Sequence, residues 1–417
     1  MKKTQRVKPA NRRLFLESLE RREVLAGNIT VTLSQGLLTV VGDDNSNQIG
    51  IYQQANGRFN VVALDGEEIT GPTEDLIVRN IAVGMWAGDD FVQISAQPEE
   101  GEMLPTAAEV LGSVKVRGGD GDDILRVSVV GRQVGTFVLP SLSVGIEGDL
   151  VPPTNVGEVI VEQDDEVGVF NTITGNLTVN TQGGDDMIDL INVSALNVSV
   201  NSTTSANTGT TDNDTVTMSV VNALNASVNL GTSSVVEGGG NSLFVDNAIF
   251  GIATLNGGNG PDFVSVSETR AALSLTINTH GEEDVVDLDD VQVGLTQADY
   301  AAIADLIIEA FSLNLSALPF NILSLIQYIP ELPGYLYVYT GGGDDAVTTN
   351  NLFSTSMIWI SLDAGDDSLT ATGFLEADMS FLSGGLDTDS RFITTDTQGF
   401  LSVILFEDLL PDPNELT

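Results

Sequence analysis

The stretch Val114–Val129, VKVRGGDGDDILRVSV, sets the reading of the whole chain. An apolar/polar alternation (Val114, Val116) runs into Gly118-Gly119-Asp120-Gly121-Asp122-Asp123, and a second alternation (Leu125, Val127) follows. Period 2 puts alternate side chains on opposite faces of a strand. The glycine-rich turn between the two runs lets the backbone reach φ > 0 at low steric cost. Strand, Gly-Asp corner, strand is therefore the expected unit.

The unit recurs. It reads LTVNTQGGDDMIDLINV at 177–193, ATLNGGNGPDFVSVS at 253–267, VYTGGGDDAVTTN at 338–350 and ISLDAGDDSLTAT at 360–372. Gly257, Gly258, Gly260 and Asp262 repeat the spacing of Gly118, Gly119, Gly121 and Asp123. Shorter copies keep one Gly, the Asp and the following apolar residue. They are Gly88 with Asp90, Gly184 with Asp186, Gly343 with Asp345, and Gly365 with Asp367. Weaker copies place Asn47, Asp165, Asp214, Ser242, Asp284 and Asp389 at the Asp position. Successive corners lie 20–22 residues apart over much of the chain; Asp345, Asp367 and Asp389 are 22 apart, and Asp165 precedes Asp186 by 21. Asn47 to Asp90 and Asp123 to Asp165 read as two such steps each. A fixed period of this size is the mark of a stacked repeat. The expectation is an all-β, right-handed parallel β-helix of about 21–22 residues per rung, with rungs about 4.8 Å apart.

Gly118–Arg126 and Gly257–Ser265 fit G-G-x-G-x-D-x-U-x in full and so resemble the calcium-binding nonapeptide of RTX (haemolysin-type) proteins. That resemblance implies calcium held at the corners. The metal-site candidates are Asp90, Gly118, Gly119, Asp120, Gly121, Asp123, Gly184, Asp186, Gly257, Gly258, Gly260, Asp262, Gly343, Asp345, Gly365 and Asp367. It also implies an alternative fold, an RTX-like β-roll, although that form needs motifs in tandem. The physical case is separate. Calcium takes six to eight oxygen ligands from carboxylates and carbonyls. Carboxylates ~4.8 Å apart repel by about 3.5 kcal/mol at an effective dielectric of 20 and about 0.9 in water. The alternative is that these Asp side chains only cap turn amides.

Charge sharpens the point. The formal net charge is −43. Eight of the 16 basic residues lie within the first 22 positions, so the body from Asn28 has 8 basic residues against 56 acidic ones. Such a body repels nucleic acid and anionic membranes and attracts cations. There is no Cys, and His280 is the lone His. Thiolate metal sites, disulfides and sites needing two histidines are excluded.

Two segments depart from the repeat. Residues 1–27 form a basic N-terminal targeting segment, ahead of a solenoid domain at 28–417. Arg13–Gly27, RLFLESLERREVLAG, has too many charges for an ordinary secretory signal. Through Leu16, Glu17, Leu19, Glu20, Arg22, Leu25 and Ala26 it resembles the planctomycete-type LEPR-XLL motif, with Ser18 where that motif has Pro. The resemblance implies a bacterial protein that is secreted or displayed on the cell surface. At 296–335 the pattern turns helical. Thr296 and Asp299 make a capping-box-like start, and Ala301, Ile303, Ala304, Ile307, Ile308 and Phe311 follow at helical spacing. Residues 310–330 carry no charge, but Ser312, Asn314, Pro319, Asn321 and Gln327 argue against a membrane span. A helical insertion covering one side of the solenoid is the expectation.

Catalysis is not expected. Polygalacturonase-like β-helix enzymes accompany a GDD element with Gly-His-Gly and Arg-x-Lys, whereas His280 here lies in Asn-Thr-His-Gly and Lys115 is the one Lys beyond residue 22. The composition fits a calcium-binding surface or matrix protein, structural or adhesive, with extracellular polysaccharide or other surface proteins as partners. The competing readings are a polysaccharide lyase or hydrolase and a metal-free structural solenoid.

Overall fold

A computed structural model describes residues 28–97, 106–130, 137–138, 169–170, 175–181, 184–202, 213–231, 240–296, 299, 331–385, 387–394, 396–404 and 408–409. The N-terminal targeting segment and most of the expected helical insertion lie outside them. Every element described is a β-strand. Most pair in parallel with the equivalent strand about one period away, in a ring-like succession consistent with a solenoid.

Each rung contributes two strands joined by the Gly-Asp corner. In the first sheet Leu38, Ile81, Val114, Leu177, Val198, Ala226, Ala253, Leu275, Leu336 and Ile358 stand in one register column. In the second, Ile49, Val92, Leu125, Ile188, Val216, Leu243, Val264, Val286, Val347 and Leu369 do the same. Both columns are buried. The core is thus a stack of like on like, with Val, Ile and Leu filling thin layers that suit β-branched side chains.

The register corrects two spacing arguments. Gln48–Gln53 pairs directly with Phe91–Ala96, so the 43 residues from Asn47 to Asp90 are a single step. They include the antiparallel strand Phe59–Ala63. Likewise Ile124 pairs directly with Met187, so Asp123 and Asp186 stand on neighbouring rungs. Asp165, outside the described residues, was expected to hold a rung between them, and no rung intervenes. The 284–345 step is single, as expected. The strand Tyr335–Tyr339 already belongs to the next rung, which ends that insertion earlier than residue 335. At its start, Asp299 N donates to Thr296 Oγ1 at 3.3 Å and Thr296 N donates to Asp299 Oδ2, the reciprocal bonds of the expected capping box.

The N-terminal edge is closed by hairpins. Asn28–Ser34 runs antiparallel to Leu37–Val41, and Phe59–Ala63 runs antiparallel to Gln48–Gln53. Both strands of the first rung therefore gain a partner where no rung precedes them, which blunts an open edge.

A second corner runs along the sheet bends. Asn192, Val220, Asn247, Glu268, Asp290, Asn351 and Gly373 are in register, and all have φ between +47° and +70°. Asn, Asp and Gly tolerate this left-handed conformation; a β-branched residue does not. Val220, at φ +55°, is the strained member. Val220→Asn is expected to stabilise the fold by about 1 kcal/mol, read as a higher melting temperature; an unchanged or lower value would count against strain there.

Candidate functional site

The corners converge on one column. Asn47, Asp90, Asp123, Asp186, Asp214, Asn241, Asp262, Asp284, Asp345, Asp367 and Asp389 are all buried, between 0% and 6% exposed. The backbone N–H of each of the first ten donates to Oδ1 of the next, at 2.7–3.2 Å. A turn of this sequence forms because the corner leaves one amide per rung without a strand partner, and the next rung's side chain accepts from it.

A neighbouring column runs the other way and faces solvent. Asp122 N donates to Asp89 Oδ1 at 3.2 Å, Asp185 N to Asp122 Oδ1 at 2.9 Å, and Asp366 N to Asp344 Oδ1 at 2.9 Å. Consecutive aspartates in Gly-Asp-Asp therefore do different work: the first bonds back to the preceding rung in water, the second bonds onward inside.

The glycines are set by packing. A Cβ on Gly118 would lie 2.0 Å from Asp123 Oδ2, and one on Gly257 equally close to Asp262 Oδ2. Gly121 has φ +131°, and a Cβ there would lie 2.3 Å from the Gly88 carbonyl oxygen. The first glycine thus makes room for the buried carboxylate, and the later one lets rungs stack. At Asp284 and Asp345 the residue five positions earlier is Thr279 or Thr340, whose side chain hydrogen-bonds the carboxylate.

The second carboxylate oxygens define the chemistry. Oδ2 of Asp90, Asp123, Asp262 and Asp367 is buried and without a hydrogen-bond partner. Burial first, with help from neighbouring carboxylates at all but Asp262, pushes these acids up: Asp90 to about 6, Asp262 and Asp367 to about 7, and Asp123 to about 8. Asp284 rises to about 8 and Asp345 is also raised, for the same reasons in the same order. The ion pair between Arg126 and Asp189, at 3.0 Å, lies on the outer face and does not serve the column.

Asn47 and Asn241 show what the vacant oxygen position accommodates. Asn47 Nδ2 donates to Asp90 Oδ1 at 3.2 Å, to the Asp43 carbonyl at 3.4 Å and to the Asn45 carbonyl. Asn241 Nδ2 donates to Asp262 Oδ1 at 3.1 Å. Corner carbonyls and the next carboxylate converge on that point, so it is served by a donor or a cation and not by a bare carboxylate oxygen.

Sequence and structure can now be compared residue by residue. Asp90, Asp123, Asp186, Asp262, Asp345 and Asp367 are brought into the column, as are the weaker copies Asn47, Asp214, Asp284 and Asp389. Gly118, Gly119, Gly121, Gly184, Gly257, Gly258, Gly260, Gly343 and Gly365 line its corners. Asp120 stands apart: its backbone bridges Trp86 and Gly88, and its side chain is exposed. Ser242 is not the column member at its rung; Asn241 is, and Ser242 begins the strand Ser242–Asp246. The signal was present as Gly240-Asn241, a shortened Gly-Asn corner. Among the described residues no three or more of His, Asp and Glu are gathered into a ready-made metal cluster. The likeness to known proteins adds nothing further. No family model, curated protein or solved structure matches the chain.

Two predictions follow from the buried acids. Their values in the folded protein lie above the ordinary value near 4, so folding binds protons, and the stability they contribute is full below about pH 4 and lost as pH rises through 6 to 8. In EDTA the melting temperature should fall between pH 5 and pH 8.5; a rise would contradict the burial of ionisable column members. Gly118→Ala should destabilise by about 1–3 kcal/mol through overpacking, measured by denaturant unfolding, whereas Gly84→Ala, with open space around it, should have little effect.

Proposed function

We propose that the chain is an exported, acidic β-solenoid, a right-handed parallel β-helix whose corner column takes up calcium, and that it serves as a non-enzymatic structural or adhesive protein at a bacterial surface or in its matrix. One observation carries this reading: a continuous file of buried aspartates, with Asn47 and Asn241 among them, in which the second oxygens of Asp90, Asp123, Asp262 and Asp367 have no hydrogen-bond partner. The donor set fits a hard cation. Carboxylate and carbonyl oxygens are the ligands calcium prefers, and Asp43 O, Asn45 O and Asp90 Oδ1 already converge where Asn47 presents its amide nitrogen. The residues that would hold the ions are the column aspartates, with corner carbonyls and water completing each shell. Bound calcium would supply the positive charge that 8 body lysines and arginines cannot. Export and surface display rest on the LEPR-XLL resemblance of residues 13–27. Extracellular polysaccharide or other surface proteins are the partners this setting offers.

A second reading has its own support. The amides of Asn47 and Asn241 are near-isosteres of protonated carboxyl groups, so a metal-free solenoid with its column in the acid form is also self-consistent. The two readings diverge in one measurement. If calcium is the resident ion, millimolar calcium at pH 8 raises the melting temperature, each site adding about 2.7 kcal/mol at one hundred times its Kd, and Asp262→Asn lowers the number of ions bound in calorimetric titration. If the column is held by protons, calcium leaves the melting temperature unchanged, and Asp262→Asn in EDTA at pH 8 melts at or above the parent temperature.

A further inference from the structure

The first corner differs from all that follow. At later rungs the amide after the column residue donates to the column carbonyl of the preceding rung: Phe91 N to Asn47 O, Ile124 N to Asp90 O, Met187 N to Asp123 O, each at 2.7–2.8 Å. Gln48 has no such rung before it. Its amide donates instead to Glu67 Oε1 at 3.1 Å. Glu67, next to the strand Glu68–Thr70, reaches in from outside the repeat and is only 6% exposed. Its Oε2 is buried without a hydrogen-bond partner, and so is Asn47 Oδ1 in the adjacent residue. The charged groups that bear on Glu67 are Asp65, Asp90 and Asp43, all acidic.

Two orphaned oxygens, one on the acid that accepts from the Gln48 amide and one on the residue before it, lie in the negative field of Asp65, Asp90 and Asp43 and call for a positive charge. The geometry points to a separate cation site at the first corner, in which Glu67 Oε2 and Asn47 Oδ1 bind one hard divalent ion of the calcium class and cap the column. Hard oxygen donors suit that class over softer metals. A carboxylate brought in from the link between Phe59–Ala63 and Glu68–Thr70 also explains why the first column position is Asn: an aspartate there would add a third acid in the field shared by Glu67 and Asp90. The acid of this site is independent of the repeat, because Glu67 belongs to no Gly-Asp corner.

The test is calorimetric calcium titration of the full chain at pH 7.5, with Glu67→Gln and Asp262→Asn compared with the parent. Glu67→Gln is expected to bind one ion fewer than the parent, while Asp262→Asn keeps that ion. A Glu67→Gln protein with the parent's stoichiometry overturns the proposal, as does a parent chain that binds no calcium. Should Glu67→Gln fail to fold, Glu67→Asp keeps the charge on a shorter arm; a tenfold or larger loss of affinity at one site is expected, and unchanged affinity overturns it. The outcome also separates this site from the corner column. A parent that binds a single ion, lost in Glu67→Gln and kept in Asp262→Asn, leaves the first corner standing and removes the column from calcium binding.

Discussion

The hydrogen bond from a corner amide to the next rung's buried carboxylate is the constraint to which the rest of the chain is fitted. It needs a carboxylate or a carboxamide at one position per rung, which sets the Asp/Asn column. It needs that side chain to lie inside, which removes the Cβ at Gly118 and Gly257. It leaves a second oxygen in a dry place, which raises the acids' affinity for protons. Repeated ten times along eleven column residues, it turns a weak local turn into a ladder in which every member fixes its neighbour.

The backbone ladders on either side enforce the same spacing. Parallel pairing places aliphatic over aliphatic, Leu275 over Leu336 and Val245 over Val266, so the hydrophobic layers and the polar column share one repeat length. Interior and corner therefore cannot slip independently: a shift by one residue would turn the apolar columns outward and take the carboxylates out of reach of their amides.

Much of this was legible in the sequence, because the Gly-x-Asp spacing and the alternation on both sides are local. Residues such as Leu177 and Val179, or Val264 and Val266, declared their inward face by period alone. What escaped had non-local causes. The inward direction of Asp123 depends on an amide one rung away, whereas charge by itself sends a carboxylate to water. The column at Asn192, Asn247, Asp290 and Asn351 reads as scattered polar residues until the register aligns them. Asp165 matches the period by distance, yet the rungs of Asp123 and Asp186 are direct neighbours; spacing alone does not show that a stretch forms a rung. Glu67 belongs to no repeat, and only the missing rung beneath Gln48 gives it a purpose.

Long stretches of sequence separate some neighbouring rungs, yet those rungs stay in ordinary contact: Leu125 meets Ile188, 63 positions on, and Val286 meets Val347, 61 positions on. Because each rung communicates only with the one before and the one after, the joint between any two is chemically the same. The molecule is in this sense modular. Whole rungs can be copied or excised, and sequence added between them, without redesign of what remains, so its length is a variable open to duplication.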